Sequence, residues 1–302
     1  VNRNRSYRLT RDEELAAGLT RVAAGRAEKA LERLRESEAG GSETAAAVHG
    51  SRKDMKKLRT VLRLLRDALG EKRYRRENAR FRDVGRALSG NRDAVVKLET
   101  LDALTERAEG LPDEAVEAWR KILARDREAA TNAARDEPTV VAAIVQLEAG
   151  LEEIQSWGLE GDSWKTIGPS LTRTYRRGRK AMKAAEDSGS EDELHEWRKR
   201  AKDHWYELRL LNDAWPGPLA ATAAESHRLT ELLGDHHDLA VLREDLQERN
   251  LGAEATRELA AAIGRRQEEL AAEAIALGRR LYAERPKQFG RRLRRYWQAW
   301  RG

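Results

Sequence analysis

The stretch "HGSRKDMKKLR" at 49–59 sets a histidine and then cations three, four and seven residues on, and "HEWRKRAKDHW" at 195–205 repeats the spacing. An α-helix, at about 100° per residue, gathers such positions on one side. His49, Arg52, Lys53, Lys56, Arg59 and Arg63 share a face of the first helix, opposite Met55, Leu58, Leu62, Leu65 and Leu69. In the second copy His195, Arg198, Lys199, Lys202, Tyr206 and Arg209 share a face, opposite Trp197, Ala201, His204, Leu208 and Leu211. The apolar sides must bury against other helices. Like charges three and four residues apart repel, so a chain that accepts the arrangement twice is built to meet anions. At 1.5 Å per residue the row from His49 to Arg63 is about 21 Å long.

The rest of the chain reads as helix too. Ala, Leu, Arg and Glu dominate and β-branched runs are scarce. The six prolines fall at element edges, with Pro112 and Pro286 at helix starts. The pattern predicts helices over 12–36, 43–69, 72–88, 91–107, 113–134, 138–156, 169–186, 191–214, 218–233, 237–249, 253–282 and 287–300. "GLEGDSWKTIG", 158–168, lacks a helical period and reads as a linker. Each half has a first helix, a Gly-Ser break ("GGSE" at 40–43, "SGSE" at 188–191) and then the histidine-led helix. Ser190 with Glu193 forms a capping-box pattern. "LSGNRDAVV" at 88–96 aligns with "LGDHHDLAV" at 233–241, pairing Arg92 with His237 and Asp93 with Asp238. The expectation is an all-α chain of two duplicated bundles, 1–157 and 158–302.

Charge is unevenly distributed. Segments 49–66, 72–82, 173–183, 198–209 and 285–301 hold 31 of the 58 Lys and Arg but only four acids, Asp54, Glu77, Asp203 and Glu207. The remainder is net acidic. This pattern focuses a positive field on an anionic partner; the alternative is a set of solvated helix faces. No cysteine is present, which excludes disulfides and thiolate chemistry. No apolar run approaches the roughly 18 residues of a membrane span, and "VNRNRSYRL" lacks the apolar core of a signal peptide. A cytoplasmic protein is expected.

The histidine-led basic helix in both halves, the "LG..(R/H)D" turn and the ending "LYAERPKQFGRRLRRYW" together resemble the CHAD domain, over about residues 6 to 300. The resemblance implies two pseudo-symmetric helical bundles with a basic surface between them that binds inorganic polyphosphate, without catalysis of its own. It also implies association with triphosphate-processing enzymes or polyphosphate granules. Carried over, it nominates His49, Arg52, Lys53, Lys56 and Arg59, then His195, Arg198, Lys199, Lys202 and Tyr206. Arg173, Arg176, Arg177 and Lys180 also match the family pattern. Trp205 stands where the family often has a basic residue. Arg63 and Arg209 extend the two rows, and Arg291, Arg294 and Arg295, on one face of the last helix, are candidates to lengthen the surface.

The histidines divide by face. His49 and His195 lie among cations that disfavour their protonation until a polyanion offsets the repulsion, whereas His204 lies on the apolar side and reads as core. Asp93 and Asp238 read as helix caps or ion-pair partners. His204 with His237 and Asp238 imitates the first ligands of an HD-type metal phosphohydrolase. That pattern needs a later aspartate, and none follows Asp245. No cofactor, metal site or catalytic residue is expected. Two alternatives stay open: an RNA-backbone-binding module, for which the basic faces carry few aromatic platforms, and a scaffold that docks an acidic protein.

Overall fold

The computed structural model describes residues 5–38, 44–88, 92–133, 138–249 and 251–302. Twelve α-helices and no strand occur among them: α1 (Leu15–Glu38), α2 (Thr44–Leu64), α3 (Arg66–Leu69), α4 (Glu71–Ala87), α5 (Arg92–Thr105), α6 (Asp113–Ala133), α7 (Pro138–Gln155), α8 (Gly168–Ser188), α9 (Glu191–Leu210), α10 (Pro216–Glu248), α11 (Ala253–Leu281) and α12 (Pro286–Arg301). Short 3₁₀ turns lie at 164–166 and 212–214.

Helix α1 packs on α2 and α7, and α4 packs on α2 and α7, so these four share a core. Helices α8, α9, α10 and α11 pack in succession, α12 covers α8, and α2 touches both α8 and α9. The larger apolar cluster therefore runs from Tyr7 to Trp297 across residues 157 and 158. The hairpin α5–α6 packs instead on the later helices. Leu98, Leu101, Trp119 and Leu123 form a second cluster with Leu239, Leu242, Leu246, Leu259 and Ile263. Buried Asp245 ties it together, accepting from Lys97 Nζ (2.8 Å), Trp119 Nε1 (3.0 Å) and Arg249 Nη2 (2.9 Å). These bonds hold its carboxyl down at about 2 against the opposing effect of burial.

Several boundaries differ from the sequence reading. The segments 218–233 and 237–249 form one helix, α10, with no turn at Gly234. Gly234 is buried there, and a Cβ would lie 3.3 Å from Arg198 Nη2. The glycine thus admits an arginine of α9 rather than ending the helix. The segment 43–69 breaks at Leu65 into α2 and α3, and 191–214 ends at Leu210 before a 3₁₀ turn. The first Gly-Ser break and residues 89–91 of the first "LG..(R/H)D" turn lie outside the described residues. In the second break, Gly189 (φ 61°) takes the left-handed C-cap of α8. Ser190 Oγ then accepts from Glu193 N–H at 3.3 Å to start α9.

The stretch 158–168, read as a linker, contains the 3₁₀ turn at 164–166 and the first residue of α8, and it is bonded to both ends of the chain. Asp162 Oδ1 accepts from Leu15 N (2.8 Å) and Arg301 Nη2 (2.7 Å). Trp164 packs on Trp297 with ring centroids 6.0 Å apart.

Candidate functional site

Helix α2 buries Met55, Leu58, Val61, Leu62 and Leu64 at 1% exposure or less. On its other side Lys53 is exposed, and His49, Arg52, Lys56, Arg59 and Arg63 are half-buried. Asp54, buried on the same helix, pairs with Arg26 (3.2 Å), Lys57 (3.5 Å) and Arg33, which lie outside this row. Arg59 donates from Nε to Asn78 Oδ1 of α4 at 3.0 Å. Burial first, and the neighbouring Arg63 second, push its pKa down to about 10, which leaves it charged at neutral pH.

Helix α9 places its row against α10. The His195 and His237 rings lie 4.1 Å apart. Burial, then His237, Lys199 and Arg198, lower His195 to about 4. His237 is also lowered, by burial and then by Arg198, Lys202, His236 and Lys199. Both imidazoles are therefore held toward the neutral form. The sequence pointed to the cations as the cause for His195; the structure adds burial as the larger one.

The two rows meet where α2 crosses α9. Arg63 Nη2 donates to Asp203 Oδ1 at 2.5 Å and to Thr60 Oγ1 at 2.9 Å. Six residues earlier on α2 and six later on α9, Lys57 and Arg209 flank one ring, Tyr7, at 5.8 and 6.0 Å. The pairings 63 with 203 and 57 with 209 mean that the helices run antiparallel. Their histidine ends point away from each other.

Some nominated residues are engaged within the fold or buried. Arg63 is an internal partner of Asp203. Tyr206, nominated as a contact, is only 5% exposed, its ring edge-on to Tyr7 (6.3 Å) and its phenol pushed up to about 12 by burial. On α8, Arg173 bonds Asp67 of α3 at 2.7 Å, whereas Arg176, Arg177 and Lys180 are exposed. Arg291, Arg294 and Arg295 are exposed on α12, which packs on α8 and buries Phe289, Leu293 and Trp297.

His204 is core, as read: 2% exposed, among Tyr175, Tyr282 and Phe289, and lowered to about 3 by burial. Residues not foreseen are Asn78, Tyr7 and Lys57 at the first row and His237 at the second. Lys57 lies within the quoted repeat and His237 within the aligned second motif; Asn78 and Tyr7 carry no local signal. No group of three or more His, Cys, Asp or Glu among the described residues is arranged to hold a metal ion, and none of the described helices is long and apolar enough to cross a membrane.

Comparison with functionally curated proteins returns no match. Among solved structures, the chain is similar to the crystal structure of the CHAD domain from the plant Ricinus communis, at 20% identity and a TM-score of 0.64. The match covers 91% of this chain and 94% of that one. At that identity the likeness concerns the fold. The sequence model of the CHAD domain matches residues 25–247, close to three quarters of the chain. The α2 and α9 rows both lie within the matched span, and on this evidence the chain belongs to the CHAD domain family.

Proposed function

We propose that this chain binds inorganic polyphosphate, without catalysis of its own, along a basic surface built from the α2 and α9 rows. The observation that carries the reading is the antiparallel crossing at Arg63 and Asp203. It lets two rows that are 146 residues apart in the chain continue one another, about 21 Å along α2 and about 12 Å along α9. Arginines suit bridging oxygens with their planar forks, and lysines serve as point charges. Arg176, Arg177 and Lys180 lie on α8, next to α9, and extend the positive field; the α12 cluster lies beyond α8. The histidines are contacts that gain a proton when the polyanion arrives. The same reading places the protein in the cytoplasm, near polyphosphate granules or triphosphate-processing enzymes.

The test is direct binding of long-chain polyphosphate, single-stranded RNA and duplex DNA across a salt series. Polyphosphate is expected to bind most tightly at physiological salt, with a steep salt dependence from counterion release. Equal competition by RNA would replace this function with a nucleic-acid module. Binding of none of the three would leave docking of an acidic protein.

A further inference from the structure

Trp205 occupies the position ten residues after His195, where the first row has Arg59 ten after His49. On sequence alone this is a lost cation. In the structure the Arg209 guanidinium lies 5.1 Å from the Trp205 ring centroid and 6.0 Å from that of Tyr7. Trp205 is itself held by Tyr206 at 4.6 Å and His227 at 4.2 Å. The segment that carries Tyr7 is fixed nearby, since Leu9 N–H donates to Leu210 O at 3.2 Å and Arg21 donates to the Arg8 carbonyl at 2.8 Å.

Arg209 differs from its neighbours in what it lacks. Arg63 is bonded to Asp203, Arg173 to Asp67 and Arg200 to Glu196. Among the described residues no carboxylate bonds Arg209. Its position relative to Lys57 mirrors that of Arg63 relative to Asp203, so an aromatic ring and a second cation stand where the other side has an acid. A guanidinium held by aromatic rings keeps its charge and its edge N–H donors while losing much of its rotational freedom. Preorganisation of this kind raises affinity by lowering the ordering cost of binding.

Resting on the polyphosphate reading above, we propose that Tyr7 and Trp205 are positioning residues that clamp Arg209 as a fixed phosphate fork at the α2–α9 crossing. Trp205 then exchanges one mobile charge for a rigid neighbour.

The experiment is polyphosphate binding to the full chain and to Trp205→Leu, Trp205→Phe, Tyr7→Leu, Tyr7→Phe, Arg209→Lys and Arg209→Ala, with melting temperatures for each. Leucine keeps apolar volume but removes the π face. Trp205→Leu, Tyr7→Leu and Arg209→Lys are expected to weaken binding by about three- to tenfold. Their salt slope should stay unchanged, because no charge is removed. The phenylalanine variants should retain most of the affinity. Arg209→Ala should also lower the slope by about 0.7, one phosphate contact. In the Arg209→Ala background, Trp205→Leu should have no further effect.

A Trp205→Leu loss that persists at full size without Arg209 would mean ordinary packing and overturn the clamp. Wild-type affinity in both leucine variants would overturn it as well. A wild-type chain that does not bind polyphosphate fails the functional reading itself, which is a separate result.

Discussion

Glu207 offers a quantitative test of how the core of α9 is built. It is 1% exposed, and its Oε1 accepts from Thr174 Oγ1 at 2.7 Å. Its Oε2 has no hydrogen-bond partner among the described residues. Burial, with Asp203 adding to it, pushes the carboxyl well above the ordinary 4.5 and outweighs the Thr174 bond and the nearby Arg63. The folded chain therefore holds a proton that the unfolded chain releases above about 4.5. For a raised pKa the contribution to stability is fully present below the unfolded value and declines as pH rises. Each pH unit above the unfolded value adds about 1.36 kcal/mol to the cost of keeping that proton, up to the folded pKa.

Glu207→Gln keeps the acceptor for Thr174 and the size of the protonated acid but removes the titration. Denaturant unfolding at pH 7 should show the variant more stable and its melting temperature higher, the advantage widening by up to about 1.4 kcal/mol per pH unit above 4.5. At pH 4 the two proteins should coincide. A difference that is absent at pH 7, or that does not change with pH, would show that Glu207 is ionised in the fold and balanced by Arg63.

Three further outcomes are expected. Replacing His195 and His237 together by Gln should flatten the pH dependence of polyphosphate affinity while leaving most of the salt dependence. Binding raises the imidazole pKa values, so wild-type affinity rises as pH falls and levels off below the free His195 value of about 4; a wild-type titration flat from pH 8 to 4 would refute this. Arg52→Glu and Arg198→Glu should each weaken long-chain polyphosphate, whereas triphosphate, short enough for one row, should respond to just one of them; long-chain binding that survives both reversals would remove the rows from the mechanism. In α11, Gly278→Ala should destabilise by about 1–3 kcal/mol, because its Cβ would meet Trp197 Cζ2 at 2.4 Å. Gly264→Ala, with nothing within 4 Å of its Cβ, should stabilise by about 0.5–1 kcal/mol; chemical denaturation of both variants tests the pair.

Helix formation and the facing of the cationic rows were legible in the amino-acid order because both follow from local periodicity. Residues three and four apart must share a side, so His49 to Arg63 and His195 to Arg209 declared their faces, and His204 declared itself core. Helix ends were less legible. Gly234 reads locally as a stop, yet it lies inside α10 because Arg198 of another helix packs against it. What only the tertiary structure decided are the pairings between distant residues: Arg63 with Asp203, His195 with His237, Arg209 with Tyr7 and Trp205, and the α5–α6 hairpin with α10 and α11. Those pairings assign Arg63 to an internal bond, while the packing around α9 buries Tyr206 and pushes the Glu207 carboxyl up. Burial and charge proximity act through space, and helical spacing along the chain carries no record of which helices will meet.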